Sequence, residues 1–339
     1  MEYTTHKDFS EIPASAWNEL VEAGISNTPF SRHEMLCEWW KTRGGGEWPE
    51  AELVLVSASD HGRLIGVAPL FRARHEGRAA LLLLGSIEVS DYLDLIVRQE
   101  DLPRFLTGLF DFLGQAGPCG GFPFDWYNLP DSSPTRAALE TEAEKRGCTY
   151  REEIYRPTPR ISLEGGFDAY LGRIDKKQRH EIRRKMRRAA ESPIPVQFQV
   201  VSEAADLDAE IASFLELMSH DPNKAEFLKP AMRTHVASLM HTASEHGYLW
   251  LAFLTIGDVK AAAAFNFDYG NKLWGYNSGV SRDFMELSPG WVLLAHQIQW
   301  ACEHGRYEFD FMRGDEEYKY RFGGVNRHVM RVTVSSPGS

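Results

Sequence analysis

Residues 309–324 read FDFMRGDEEYKYRFGG, and the reading of this stretch decides the fold. Phe309, Asp310 and Phe311 alternate apolar, polar, apolar, the pattern of a strand with one buried face. At Arg313-Gly314-Asp315 the pattern breaks, and two acids, two tyrosines, a lysine and an arginine follow. Glycine at 314 permits a sharp turn. Beyond it, alternation predicts that Tyr318, Tyr320 and Phe322 share one face while Lys319 and Arg321 share the other. A core strand that runs into a loop this dense in charge is a rigid base presenting chemistry.

The chain upstream supplies the frame. Ser288-Pro289-Gly290 opens the helix WVLLAHQIQWACEH, with Ser288 expected as N-cap and Pro289 at the first helical position. That helix is apolar on most sides, so it is expected to be buried. Before it, YLWLAFLT (248–255) and VKAAAAFNF (259–267) form a hairpin, and LWGYNSGV (273–280) a third strand. VQFQVV (196–201) is a further strand. Two helical stripes follow it, from Leu207 to Met218 and from Met232 to Ala243. The first half repeats this order. AELVLVSA (51–58) and RLIGVAPLF (63–71) form a hairpin, and ALLLLG (80–85) and YLDLIV (92–97) add strands. A helix over 102–113, the strand DWYNL (125–129) and a helix over 134–146 complete it. The spacing predicts two copies of one α/β unit, in domains 1–155 and 156–339.

Between the copies lies a helical segment, 167–191, with nine basic residues from Arg173 to Arg188 opposed by Asp175 and Glu181. Phe167, Tyr170, Leu171, Ile174, Ile182 and Met186 give it one buried side. In a chain of 339 residues with net charge -11, such a run stands out against the background. The overall acidity argues against wholesale nucleic-acid binding, and phosphate is the expected target of the local patch. Cys37, Cys119, Cys148 and Cys302 lie far apart with no paired spacing, so reduced thiols are expected rather than zinc or disulfides. His33, His220, His296 and His304 are scattered and suggest no metal set. No apolar signal core opens the sequence, and no run reaches the length of a membrane span. A cytoplasmic protein is expected.

The run FDAYLGRIDKKQRHEIRRKMRRAAE, the combination SPGWVLLAHQIQWA with YEFDFMRGDEEYKYRFGG, and the early piece LGSIEVSDYLDLIV together resemble the FemAB-like and CelD-like branch of the GNAT acyltransferases. The resemblance spans nearly the whole chain. It implies an α/β (α+β) fold of two tandem GNAT-like domains, each a mixed, largely antiparallel sheet flanked by helices. It also implies an acyltransferase that moves an acyl group to an amine or hydroxyl of a sugar, peptide or cell-envelope precursor. The donor would be a co-substrate and not a resident cofactor: acetyl-CoA or another acyl-CoA most simply, aminoacyl-tRNA as the alternative. Nucleic acid would be a partner only in the second case. A non-catalytic binding protein of an exopolysaccharide system is the rival from another class. One departure concerns the donor: SRDFMELSPGW lacks the glycine pair of CoA-using GNAT loops.

Acyl transfer to an amine needs proton removal, a stabilised oxyanion and aligned substrates. By the resemblance, Lys319 falls on the lysine of the family's Y-K-x-x-F segment and would act on the donor's carbonyl or phosphate. Asp310, Asp315 and Tyr318 are the other catalytic candidates. Ser288, Gly290 and Trp291 at the helix start, with Arg183 and Arg184 on the basic segment, are the donor-binding candidates. Asp91, Tyr92, Asp94, Arg313 and Arg321 are the candidates for substrate contact.

Overall fold

The structure is a computed structural model that describes residues 1–48, 50–75, 77–118, 120–202 and 205–337. The chain forms two compact units, Met1–Pro157 with Arg327–Ser339, and Thr158–Asn326.

In the first unit, β1 (Glu2–His6) leads to α1 (Ala14–Ala23) and α2 (His33–Arg43). The hairpin β2 (Glu52–Asp60) and β3 (Arg63–His75), then β4 (Arg78–Leu83) and β5 (Ile96–Val97), precede α3 (Leu102–Leu113). β6 (Phe124–Pro130), α4 (Thr135–Lys145) and β7 (Thr149–Pro157) follow. The second unit starts with β8 (Arg160–Ser162), α5 (Gly166–Arg173) and α6 (Lys176–Ala190). Next come β9 (Val196–Val200), α7 (Leu207–Ser219), α8 (Pro222–Phe227) and α9 (Pro230–Glu245). β10 (Leu249–Ile256), β11 (Val259–Tyr269), β12 (Lys272–Val280), α10 (Pro289–Glu303), β13 (Glu308–Asp310) and α11 (Glu317–Arg321) complete it. The last strand, β14 (His328–Ser335), returns to the first unit.

Both sheets are mixed and largely antiparallel. The first runs β1-β2-β3-β4-β6-β14-β7, with β5 on β3; the second runs β8-β13-β12-β11-β10-β9. Each has one parallel step, β4 on β6 and β12 on β13. Apolar side chains drive both units together. Phe105, Phe124 and Trp126 anchor one core, and Leu273, Ile298 and Phe309 the other.

Five expectations need correction. Residues 327–339, read with the second domain, belong to the first unit, where β14 lies between β6 and β7. YLDLIV forms a strand only at Ile96–Val97; before it the Leu93 N–H bonds the Asn128 carbonyl at 2.9 Å, and the Asp94 carboxylate turns inward to Ser133, Thr135 and the Leu95 N–H. The basic segment is two helices: Asp175 accepts the Lys177 and Gln178 N–H groups and so starts α6 afresh. Residues 317–321 form a helical turn, not an extended run. Cys148 is disulfide-bonded, while Cys37 and Cys302 are free thiols; Cys119 lies outside the described residues.

Candidate active site

β12 and β13 run parallel through three pairs, Lys272↔Glu308, Leu273↔Phe309 and Trp274↔Asp310. Beyond Trp274, β12 continues to Val280, while the other strand keeps only its β8 side, the Phe311 N–H donating to the Pro159 carbonyl at 2.9 Å in the next step of that ladder. Among the described residues the β12 edge from Gly275 on thus has no strand partner on that side, which leaves a wedge in the sheet. Opposite the wedge, β11 pairs Phe265 with Asn277 and Asn266 with Gly275. Tyr276 is thus the extra residue of a β-bulge, a device that re-aims side chains beside sites.

The segment after β13 folds on itself. Asp310 is 1% exposed and accepts the Met312 N–H at 2.8 Å, while Met312 takes a left-handed φ of 62°. On α11, Lys319 is 2% exposed. Its Nζ donates to the carbonyls of Met312 (3.2 Å), Arg313 (2.7 Å) and Gly314 (3.4 Å) and sits 2.9 Å from a Glu316 carboxylate oxygen. The alternation read from the sequence is thereby corrected. On a helical turn Lys319 and Phe322, three apart, share the inward face, while Tyr318 and Tyr320 are 42% and 37% exposed. Partial desolvation, and then the Glu316 charge, push the Tyr318 hydroxyl's pKa up. Asp315 and Arg321 are exposed and Arg313 half-buried; Arg321 pairs with Glu317 at 2.6 Å.

The N-terminus of α10 packs against the end of β12, where a Cβ on Gly290 would lie 2.9 Å from Val280 Cγ2. Ser288 occupies the N-cap position with a left-handed φ of 53°, and its hydroxyl makes no cap bond, which corrects the expected capping role. Its carbonyl accepts the Val292 N–H at 3.1 Å. The first N–H groups of the helix lack intrahelical acceptors, and the dipole's positive end points the same way. Trp291 ties three elements together: its ring lies 4.7 Å from that of Phe322 and 4.3 Å from Lys185 Nζ on α6. Its indole N–H is buried and has no partner among the described residues. So α6 and the start of α10 meet. Arg183 pairs with Asp168 at 3.0 Å and Arg184 with Glu181 at 2.8 Å, both exposed pairs of the weak kind. Lys176, Lys177, Arg187 and Arg188 are exposed.

Asp91, Tyr92 and Asp94 lie in the first unit and are buried. Asp94 accepts from the Ser133 hydroxyl (2.5 Å), the Thr135 hydroxyl (2.6 Å) and the Leu95 N–H (2.7 Å). Burial nevertheless pushes its pKa up to about 6 against those bonds. Its carboxylate holds the start of α4.

Sequence reasoning missed Lys224 on α8. Its Nζ donates to the Ser278 carbonyl on β12 at 2.6 Å and reaches the Ser278 hydroxyl at 3.4 Å. The signal was an Asp221-Pro222 start with too little periodicity behind it to mark a helix. Among the described residues no His, Cys, Asp or Glu group is arranged to hold a metal, and no helix is long and apolar enough to cross a membrane.

Residues 176–320 match the family described as the acetyltransferase (GNAT) domain. A sequence search of curated proteins finds no match. Among solved structures, FemX superposes with a TM-score of 0.69 at 13% identity, over 98% of this chain and 97% of that one. L-PGS from Bacillus licheniformis gives 0.55 at 12%, over 90% and 92%. A tandem GNAT protein from the clavulanic acid biosynthesis pathway gives 0.50 at 13%, over 100% and 99%. These likenesses concern the fold, which is that of a tandem GNAT protein.

Proposed function

We propose that this acyltransferase, built of two tandem GNAT-like units with a GNAT domain over residues 176–320, transfers an acyl group from a phosphate-bearing donor to an amine or hydroxyl of a sugar or cell-envelope precursor. The observation that carries the reading is the meeting of three features in one unit: the wedge between β12 and β13, the open N-terminus of α10 beside it, and the basic helix α6 joined to that N-terminus through Trp291. The donor's acyl arm enters the wedge, where the β12 edge can bond it as a further strand would. Its phosphates sit at the backbone N–H groups of Gly290 and Trp291, with Arg183 and Arg184 exchanging weak surface pairs for phosphate. Lys319 acts indirectly by fixing the 312–316 loop, since its ammonium already meets three carbonyls and Glu316. Asp310 sets the turn that starts this loop, and Asp315, Tyr318, Arg313 and Arg321 form its acceptor-facing rim.

Acetyl-CoA is the simplest donor. Aminoacyl-tRNA is the second reading, favoured by Lys176, Lys177, Arg187 and Arg188, which add more exposed charge than one pyrophosphate requires. Thermal shift with acetyl-CoA, CoA and total aminoacyl-tRNA separates the readings, because ligand that binds the native state raises the midpoint. A shift with acetyl-CoA that Gly290→Asp abolishes without loss of folding supports the CoA reading. A shift with charged tRNA alone supports the second. A flat response to all three leaves a non-catalytic binding protein and overturns the proposal.

A further inference from the structure

We propose that Lys224 is the acid–base residue of this transfer, taking the proton from the acceptor amine as that amine attacks. The inference rests on the transfer reading and goes beyond it by assigning the proton. The sequence offers Asp310 or Asp315 for the acceptor and Lys319 for the donor's carbonyl or phosphate, but Asp310 is 1% exposed and bonded to the Met312 N–H, and the Lys319 ammonium meets the carbonyls of Met312, Arg313 and Gly314 and the Glu316 carboxylate. Lys224 differs: among the described residues it has one short bond, to the Ser278 carbonyl at 2.6 Å, and a long one to the Ser278 hydroxyl.

The fold builds this placement from backbone contacts. A Cβ at Gly279 would lie 2.4 Å from the Leu217 carbonyl carbon and the Met218 nitrogen, so the last turn of α7 rests directly on β12. Asp221 then accepts the Asn223 and Lys224 N–H groups at 2.9 and 3.2 Å and starts α8 at once. The Lys224 side chain is thereby aimed at Ser278, two residues past the Tyr276 bulge and along the strand edge that the wedge exposes. The charged groups facing it are Asp221 on its own helix, Glu316 ahead of α11 and Lys319 on α11. Desolvation, the largest influence, lowers its pKa; Asp221 and Glu316 oppose this, and the Lys319 charge adds to it. Lowering is the direction that favours a lysine in proton exchange.

The step balances with a thioester donor. The acceptor nitrogen bonds to the acyl carbon and the carbonyl π pair moves to oxygen. Neutral Lys224 Nζ takes the proton from that nitrogen and becomes an ammonium ion. The oxyanion collapses, the C–S bond breaks with its pair on sulfur, and Lys224 returns the proton to the thiolate. The products are an amide and a free thiol, with Lys224 neutral again.

The test uses the full chain, acetyl-CoA as donor and glucosamine as a sugar-amine acceptor, with CoA thiol release followed from pH 6 to 10. General acid–base groups contribute about 10²–10⁴-fold. Lys224→Gln and Lys224→Arg should each lose about that factor in kcat and lose the rising limb of the pH profile. Both should retain acetyl-CoA binding by thermal shift. In parallel, competitive acetylation by acetic anhydride, read by peptide mass spectrometry, should find Lys224 reactive at lower pH than the exposed lysines, and acetyl-CoA should protect it. An active Lys224→Arg with an unchanged profile overturns the proposal alone, as does a Lys224 that titrates with the surface lysines. A wild-type protein that neither binds acetyl-CoA nor releases thiol overturns the transfer reading, and the proposal with it.

Discussion

Replacing Lys319 by Met keeps the aliphatic stem and leaves the carbonyls of Met312, Arg313 and Gly314 without their shared donor. Each buried polar group so orphaned costs about 1–3 kcal/mol. Glu316 is 57% exposed and adds little of its own. Lys319→Met is therefore expected to lower the urea midpoint and to speed amide exchange over 312–316. A variant as stable as wild type would remove the loop-organising role. Asp94 offers a sign that can be checked by titration. Its folded pKa of about 6 lies above the usual carboxylate value of 3.8, so between these limits the folded state holds more protons than the unfolded one. Its contribution is fully present below pH 4 and is lost as pH rises through 6, by roughly 3 kcal/mol over the window. Asp94→Asn should lack this fall, and the wild-type minus variant difference in unfolding free energy isolates it from other carboxylates. Both residues were selected in the sequence, Lys319 for the donor and Asp94 for substrate contact, and the structure surrounds each with bonds that hold its own segment. Residue type and a strand-like period brought Lys319 forward. That its partners are backbone carbonyls could not be read, because a carbonyl leaves no mark in a sequence.

At the scale of elements, the junction of α7 with β12 is a contact of backbone on backbone. A Cβ added at Gly279 meets backbone at 2.4 Å, which cannot swing aside as a side chain can. Gly279→Ala should cost about 1–3 kcal/mol by overpacking. By pushing α8 off Ser278 it should also reduce turnover more than it reduces donor binding, measurable as kcat against the donor's Kd. Equal turnover in a folded Gly279→Ala protein would separate α8 from the chemistry. The long periodic elements were legible: the hairpin of β10 and β11, α3, α9 and α10 lie where apolar spacing and punctuation by Gly and Pro predict them. Among short elements the strand at 309–311 was legible in its alternation, and α8 was not. α8 spans six residues, none of them buried, so it carries no apolar stripe. The three-residue strands β8 and β13 are held by their neighbours more than by their own propensity.

At the scale of the whole molecule, the chain passes from the first unit to the second near Pro157 and back near Asn326. The return was hidden because HVMRVTVS alternates as any edge strand would, and no local signal says which sheet it joins. β14 pairs with β6 on one side and β7 on the other, so it holds the two together. Ending the chain after Asn326 should strip β7 from the first sheet and leave residues 1–157 protease-sensitive, while the second unit stays resistant. Limited proteolysis with mass mapping distinguishes this from loss at the truncated end alone. The same topology sets an order of events during synthesis on a ribosome. The unit translated first is the one finished last, since its missing strand emerges only after the whole of Thr158–Asn326. At ordinary elongation rates that interval is roughly 10–30 s. Through it the nascent protein carries two open strand edges, which invite pairing with other chains, so yield in cells should respond to translation speed and to chaperone supply more than the stability of the finished fold suggests.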